Sequence, residues 1–229
     1  EFSGLNLTWE VQEGISKHSV DTENPIMKMK GHRFKSLEAQ VADCADGIAY
    51  NAHDLDDGIT SGLLNLEQVR KLVLWCEHEK ELDRQYKNLD FTLKKYQVVR
   101  RIINDLITDF RQETLKQLEA QSIEGADDIR CAGKRMAGFS AEMAEKNGEL
   151  KNFLHQNVYN HRRVKRMEFK SERYLTELFN AYKADPELLP ESVQKNGNGD
   201  SFERRICDYI SGMTDRYAIG EYKKLFSPD

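Results

Sequence analysis

Asp46, Tyr50 and Asp54 stand four residues apart, with Asp43 three before the first and Asp57 three after the last. A helix turns about 100° per residue, so all five fall on one face. From Ser36 to Gly58 there is no lysine or arginine. Carboxylates crowded together without a cation repel one another and are costly to desolvate. The spacing therefore points to a metal or polar-ligand site along Asp46, Tyr50 and Asp54. The alternative is the acidic outer face of an ordinary core helix. His53 and Asp54 are not read as a ligand pair, because neighbours on a helix diverge by about 100°. His53 is read as a packing or supporting residue.

The element that must carry these groups is a helix over 36–59. Leu37, Val41, Cys44, Ile48, Ala52, Leu55 and Ile59 recur at steps of three and four and form its apolar face. Ala39, Ala42, Ala45, Gly47 and Ala49 are small, which predicts close packing on several sides. Before it, 5–18 reads as a helix with Leu7, Val11 and Ile15 on its apolar line, and 19–35 as a loop. After it, the spacing predicts a helix over 66–86 and a long one over 90–121. A turn near Gly125 and a short irregular helix around Met136–Met143 follow, with Asn147-Gly148 as a stop. A helical block spans 149–184, a linker 195–201, and a last helix 202–226. No stretch alternates with period two, so the fold expected is all-α, with about seven helices.

Composition bounds the rest. Of 229 residues, 39% are apolar and 32% charged, with a net charge of −5, so no global basic field recruits nucleic acid. No run approaches a membrane span, so no membrane partner is expected. The four cysteines are scattered and form no CxxC pair, which excludes zinc-finger and redox motifs and suits reduced thiols in the cytoplasm. There is no P-loop, GxGxxG or GxSxG. One basic cluster, His161-Arg162-Arg163-Val164-Lys165-Arg166, is either an anion contact or a solvated helix start, and the second reading is favoured.

Three blocks together resemble one family. GLNLTWEVQEGISKH at 4–18, LEAQVADCADGIAYNAHDLDDGI at 37–59 and RICDYISGMTDRYAIGEYKKLF at 205–226 look like the HD-superfamily deoxynucleoside triphosphate triphosphohydrolases. The segment FLHQNVYNHRRVKRM has the same look. The resemblance implies an HD-domain-like helical bundle, with 1–62 as part of a catalytic core and 63–229 as a helical region packed on it. It implies metal-dependent attack of water at the α-phosphate of a dNTP, giving deoxynucleoside and inorganic triphosphate, with dGTP the expected substrate. It makes Asp46 a ligand of a divalent metal (Mg²⁺, Mn²⁺ or another transition metal). It places Tyr50 and Asp54 on the nucleotide, and Lys17, with His18 beside it, on the phosphates.

The family's other metal-binding and catalytic histidines lie upstream of GLNLT and are not in this sequence, so no catalytic residue is expected within it. The chain, which opens on Glu1, reads as part of a longer enzyme and is expected to be inactive alone. One carboxylate is too few to hold such a cation firmly. A homo-oligomer is also expected, and single-stranded nucleic acid is a further candidate partner through the basic cluster. Two other readings stay open: an HD phosphohydrolase for another nucleotide, and a helical nucleotide- or nucleic-acid-binding module without chemistry.

Overall fold

In a computed structural model, the structure describes residues 5–15, 34–195 and 201–227. Every α-helix predicted from periodicity has a helical counterpart there, and among the described residues there is no strand, so the all-α expectation is borne out. The expected linker over 195–201 falls largely outside the described residues, as does most of the expected loop over 19–35. The chain divides into two compact units, Glu1–Tyr159 and Asn160–Asp229.

The first unit contains α1 (Trp9–Ile15), α2 (Leu37–Thr60), α3 (Leu66–Val69), α4 (Val73–Gln85), α5 (Phe91–Ala120), α6 (Ala126–Cys131) and α7 (Ala141–Leu154). A five-residue π-helical turn, His155–Tyr159, continues α7. Helix α2 packs on α5 and α7, and α4 packs on the same two helices. Ile48, Ala52 and Leu55 of α2 meet Trp75 and Leu82 of α4, Val98, Ile102 and Leu106 of α5, and Leu150 and Leu154 of α7 in one core.

Ser36 caps α2 by accepting a hydrogen bond from the Ala39 N–H at 3.3 Å. The expectation that α2 is buried on several sides is corrected. Ala42, Ala45, Gly47 and Ala49 are exposed, as is Val41. Helices α5 and α7 pack on the side of Ile48, Ala52 and Leu55, α1 adds a smaller contact, and small side chains elsewhere bring little apolar area to bury. Two carboxylates of α2, Asp43 and Asp56, do find cations, supplied by residues outside the helix. Lys35 Nζ lies 3.6 Å from Asp43, and Lys95 Nζ of α5 lies 2.6 Å from Asp56 and 2.6 Å from the Thr60 hydroxyl.

Other expected boundaries also shift for physical reasons. The helix expected over 66–86 breaks between α3 and α4, because the turn brings both Val69 and Leu72 into the core. The turn near Gly125 leads into α6, where Asp128 Oδ2 accepts from the N–H groups of Glu124 and Gly125. Met136 and Ala137 are buried but not helical, since Gln40 Oε1 of α2 accepts from both of their N–H groups. Asn147-Gly148 does not stop a helix. Both lie inside α7, where Asn147 faces α2 and Leu150 and Leu154 anchor the following turns in the core.

The second unit contains α8 (Arg162–Ala184), a 3-10 turn (Pro186–Leu188), α9 (Glu191–Lys195), α10 (Phe202–Ser211) and α11 (Asp215–Phe226). The helix expected over 202–226 is split by Gly212–Thr214. Thr214 caps α11, which folds back so that Tyr222 joins Ile206, Leu178, Tyr182 and Leu189 in one core. The Tyr174 and Tyr222 rings stack there at 4.0 Å. No helix of the described residues is long and apolar enough to cross a membrane.

Candidate functional site

The face of α2 that carries Asp46, Tyr50 and Asp54 is the face predicted from their spacing. Asp46 is exposed, Tyr50 is 56% exposed, and Asp54 is half-buried. Lys17 and His18 lie outside the described residues. The π-helical turn after α7 brings a further group to this face. The Tyr159 hydroxyl donates a hydrogen bond to Asp54 Oδ2. Its ring lies 5.9 Å from that of Tyr50, tilted by 37°, and meets the His155 ring edge-on at 6.3 Å.

Burial pushes the Tyr159 phenol well above the usual range, and its hydrogen bonds to Asp54 and Tyr50 push it the same way. It is therefore a neutral hydrogen-bond donor at physiological pH. The Tyr50 face stays open beside a carboxylate already oriented by that donor. This arrangement can bind: an aromatic surface for a ring, and an acceptor for a ligand hydroxyl.

Local structure accounts for the contact. A π turn inserts one residue into a helical turn and re-aims the side chains after it, and such turns often lie at functional sites. Gly58 lets this turn approach α2 closely. A Cβ there would lie 2.6 Å from Leu64 Cδ1 and 3.3 Å from Val158 Cγ2. Tyr159 and His155 had no signal in spacing or composition. The family look of FLHQNVYNHRRVKRM was the one hint.

The donor chemistry of Asp46 suits a hard divalent cation, which takes about six to eight oxygen ligands. Among the described residues, however, no group of three or more His, Cys, Asp or Glu side chains is placed to hold a metal ion. These residues offer one donor and not a metal site.

Residues 137–224 match the model of the phosphohydrolase-associated domain. The chain is 43% identical over 230 residues to a deoxyguanosinetriphosphate triphosphohydrolase-like protein of Geobacter sulfurreducens, covering 99% of this chain and 60% of that protein. It is 44% identical over 231 residues to one of Bordetella pertussis, with the same coverage. It is 38% identical over 246 residues to one of Caulobacter sp., covering all of this chain and 62% of that protein. The chain thus spans about 60% of the length of the curated relatives it matches.

Proposed function

We propose, from identities of 43–44% over 99% of this chain to deoxyguanosinetriphosphate triphosphohydrolase-like proteins, that it takes part in hydrolysing a dNTP, dGTP first among them, to deoxynucleoside and inorganic triphosphate. In that reaction water forms a bond to the α-phosphorus, the bond to the 5′ oxygen breaks, and that oxygen takes a proton. The observation that carries the reading is the cluster of Tyr50, Asp54 and Tyr159 on the face of α2 that bears Asp46. Tyr50 packs the deoxyribose face and leaves little room for a 2′-hydroxyl. Asp54, oriented by Tyr159, accepts from a sugar hydroxyl or takes its place beside the phosphates. Asp46 serves as one oxygen ligand of a divalent cation, Mg²⁺ or Mn²⁺, whose other ligands come from the length of the relatives that this chain does not span. Lys17 and His18 neutralise phosphate charge. The 229 residues alone are then inactive.

Product analysis tests this. The whole-length protein is incubated with dGTP and Mg²⁺ or Mn²⁺, beside its Asp46→Asn form. Deoxyguanosine and triphosphate are expected from the first and not from the second, with metal content lowered in the variant. Orthophosphate or pyrophosphate in place of triphosphate would assign another HD phosphohydrolase activity. No product from any of the four dNTPs would overturn the reading.

The exposed stripe Leu93, Tyr96, Ile107 and Leu115 on α5 supports a homo-oligomer, which light scattering tests. A second reading concerns α8, whose first turns expose Arg162, Arg163, Lys165 and Arg166 together with Met167 and Phe169. Cations beside apolar and aromatic side chains suit single-stranded nucleic acid. Binding that weakens with salt and is lost on Arg162→Glu with Arg166→Glu is expected, and salt-independent binding would exclude it.

A further inference from the structure

We propose that Asn51 and Asn147 are positioning residues, whose side-chain hydrogen bond sets the register in which Tyr159 meets Asp54. The inference rests on the nucleotide-binding role given above to that pair. Asn51 Nδ2, on α2, donates to Asn147 Oδ1, on α7, at 3.3 Å, across 96 residues of sequence. Asn51 is buried and follows Tyr50 directly. Asn147 lies two turns before the π-helical turn that carries Tyr159.

The placement is what gives the pair a task. Asn51 stands one turn before Asp54 on α2, and Gly58 stands one turn after it. Asn51 holds the body of α7, and Gly58 admits Val158 of the π turn. The segment bearing Tyr159 is thus tied to α2 on both sides of Asp54. The apolar contacts of Leu150 and Leu154 hold α7 against the core but are non-directional and tolerate sliding. A hydrogen bond between two amides does not tolerate it, because donor and acceptor must meet within a few tenths of an ångström. A helix residue that is costly to bury, and a dipeptide that usually ends helices, meet here beside Asp54, whereas Glu149 and Lys146 of α7 bond to α4 instead.

Loss of either amide breaks the bond, whereas a carboxylate in place of one still accepts from the other. Asn147→Asp keeps an oxygen acceptor for Asn51. Asn51→Leu removes the donor, and Asn147→Leu removes the acceptor. In the whole-length protein, Asn147→Asp should keep the wild-type KM for dGTP. Asn51→Leu and Asn147→Leu should raise KM by about tenfold, with kcat within about twofold, because a misplaced pocket wall weakens binding first. Amide hydrogen exchange over Phe153–Tyr159 is the second readout, and it needs no substrate. It should quicken in the latter two variants and not in Asn147→Asp. Unchanged KM and exchange in all three, or Asn51→Leu behaving like Asn147→Asp, would overturn the proposal. If the wild-type protein hydrolyses no dNTP, the exchange result still decides the register role, and the functional reading fails separately.

Discussion

Tyr159 donates its hydroxyl hydrogen to Asp54, which precedes it by 105 residues. The bond joins the π-helical turn after α7 to the C-terminal part of α2 and holds the Tyr50 and Tyr159 rings 5.9 Å apart. Tyr159→Phe removes the donor and leaves a half-buried carboxylate short of a partner. It should lower stability by about 1–3 kcal/mol at pH 7. The pH dependence has a definite sign. The folded phenol holds its proton more tightly than the unfolded one, so its contribution is fully present below about pH 10. It is lost as the pH rises beyond that toward the raised folded value. Urea unfolding of wild type and Tyr159→Phe at pH 7, 9 and 10.5 should show the same gap at the first two and a smaller gap at the last. A gap that grows with pH would contradict the assignment.

Two glycines of α2 should respond to alanine with opposite signs. Around Gly47 nothing lies within 4 Å of an added Cβ, so Gly47→Ala should stabilise by up to about 1 kcal/mol through helix propensity. At Gly58 the same methyl would lie 2.6 Å from Leu64 Cδ1 and 2.8 Å from its Cγ. The whole buried Leu64 side chain must move, and overpacking of this kind costs about 1–3 kcal/mol. Thermal unfolding of the two single variants checks this, and a stabilised Gly58→Ala would mean that Leu64 can give way.

The split between what was and was not legible in the sequence follows the range of the interactions. The stripe Asp46, Tyr50, Asp54 and the buried Ile48, Ala52 and Leu55 are set by helical period alone, and both could be read directly. Tyr159 could not, because its place depends on a π turn and on contacts made 96 to 105 residues away. The cations for Asp43 and Asp56 were missed because Lys35 precedes the helix and Lys95 comes from α5. Asn147-Gly148 misled for the same reason: its local preference for a turn is outweighed by the tertiary packing of α7.

A buried ion pair ties α1 to α6, and its carboxylate also holds the start of α2. Glu13 is fully buried, accepts from Arg130 Nη1 of α6 at 2.7 Å, and accepts from the Ser36 N–H at 3.2 Å. The Arg130 guanidinium also lies over the Trp9 ring at 4.4 Å. Removing one partner strands a buried charge, so Arg130→Met should cost about 3–5 kcal/mol. Adding Glu13→Gln to Arg130→Met should recover part of that loss, since the uncompensated charge is gone. Urea denaturation of the single and double variants measures both. A double variant no more stable than the single would show that the arginine matters through packing and not through charge.

Cys44 lies on α2 two residues before Asp46, and its reactivity reports on how that helix is packed. Its thiol is pushed up to about 11, chiefly by burial, with Arg135 opposing the rise and the nearby Asp43 carboxylate adding to it. Arg135 is held in place by donating from Nη2 to the Gln40 carbonyl at 2.8 Å. At pH 8 a thiol of this kind is thiolate in only about one molecule in a thousand, and the thiolate is the reactive form. Cys131 and Cys207 are exposed. Brief iodoacetamide treatment of the native protein at pH 8, read by peptide mass spectrometry, should therefore label those two at least about tenfold faster than Cys44. Raising the pH to 10 should speed Cys44 labelling. Arg135→Ala should slow it, because the one influence that lowers the thiol is removed. Labelling of Cys44 as fast as Cys131 at pH 8 would mean that α2 opens around Cys44 on the timescale of the reaction.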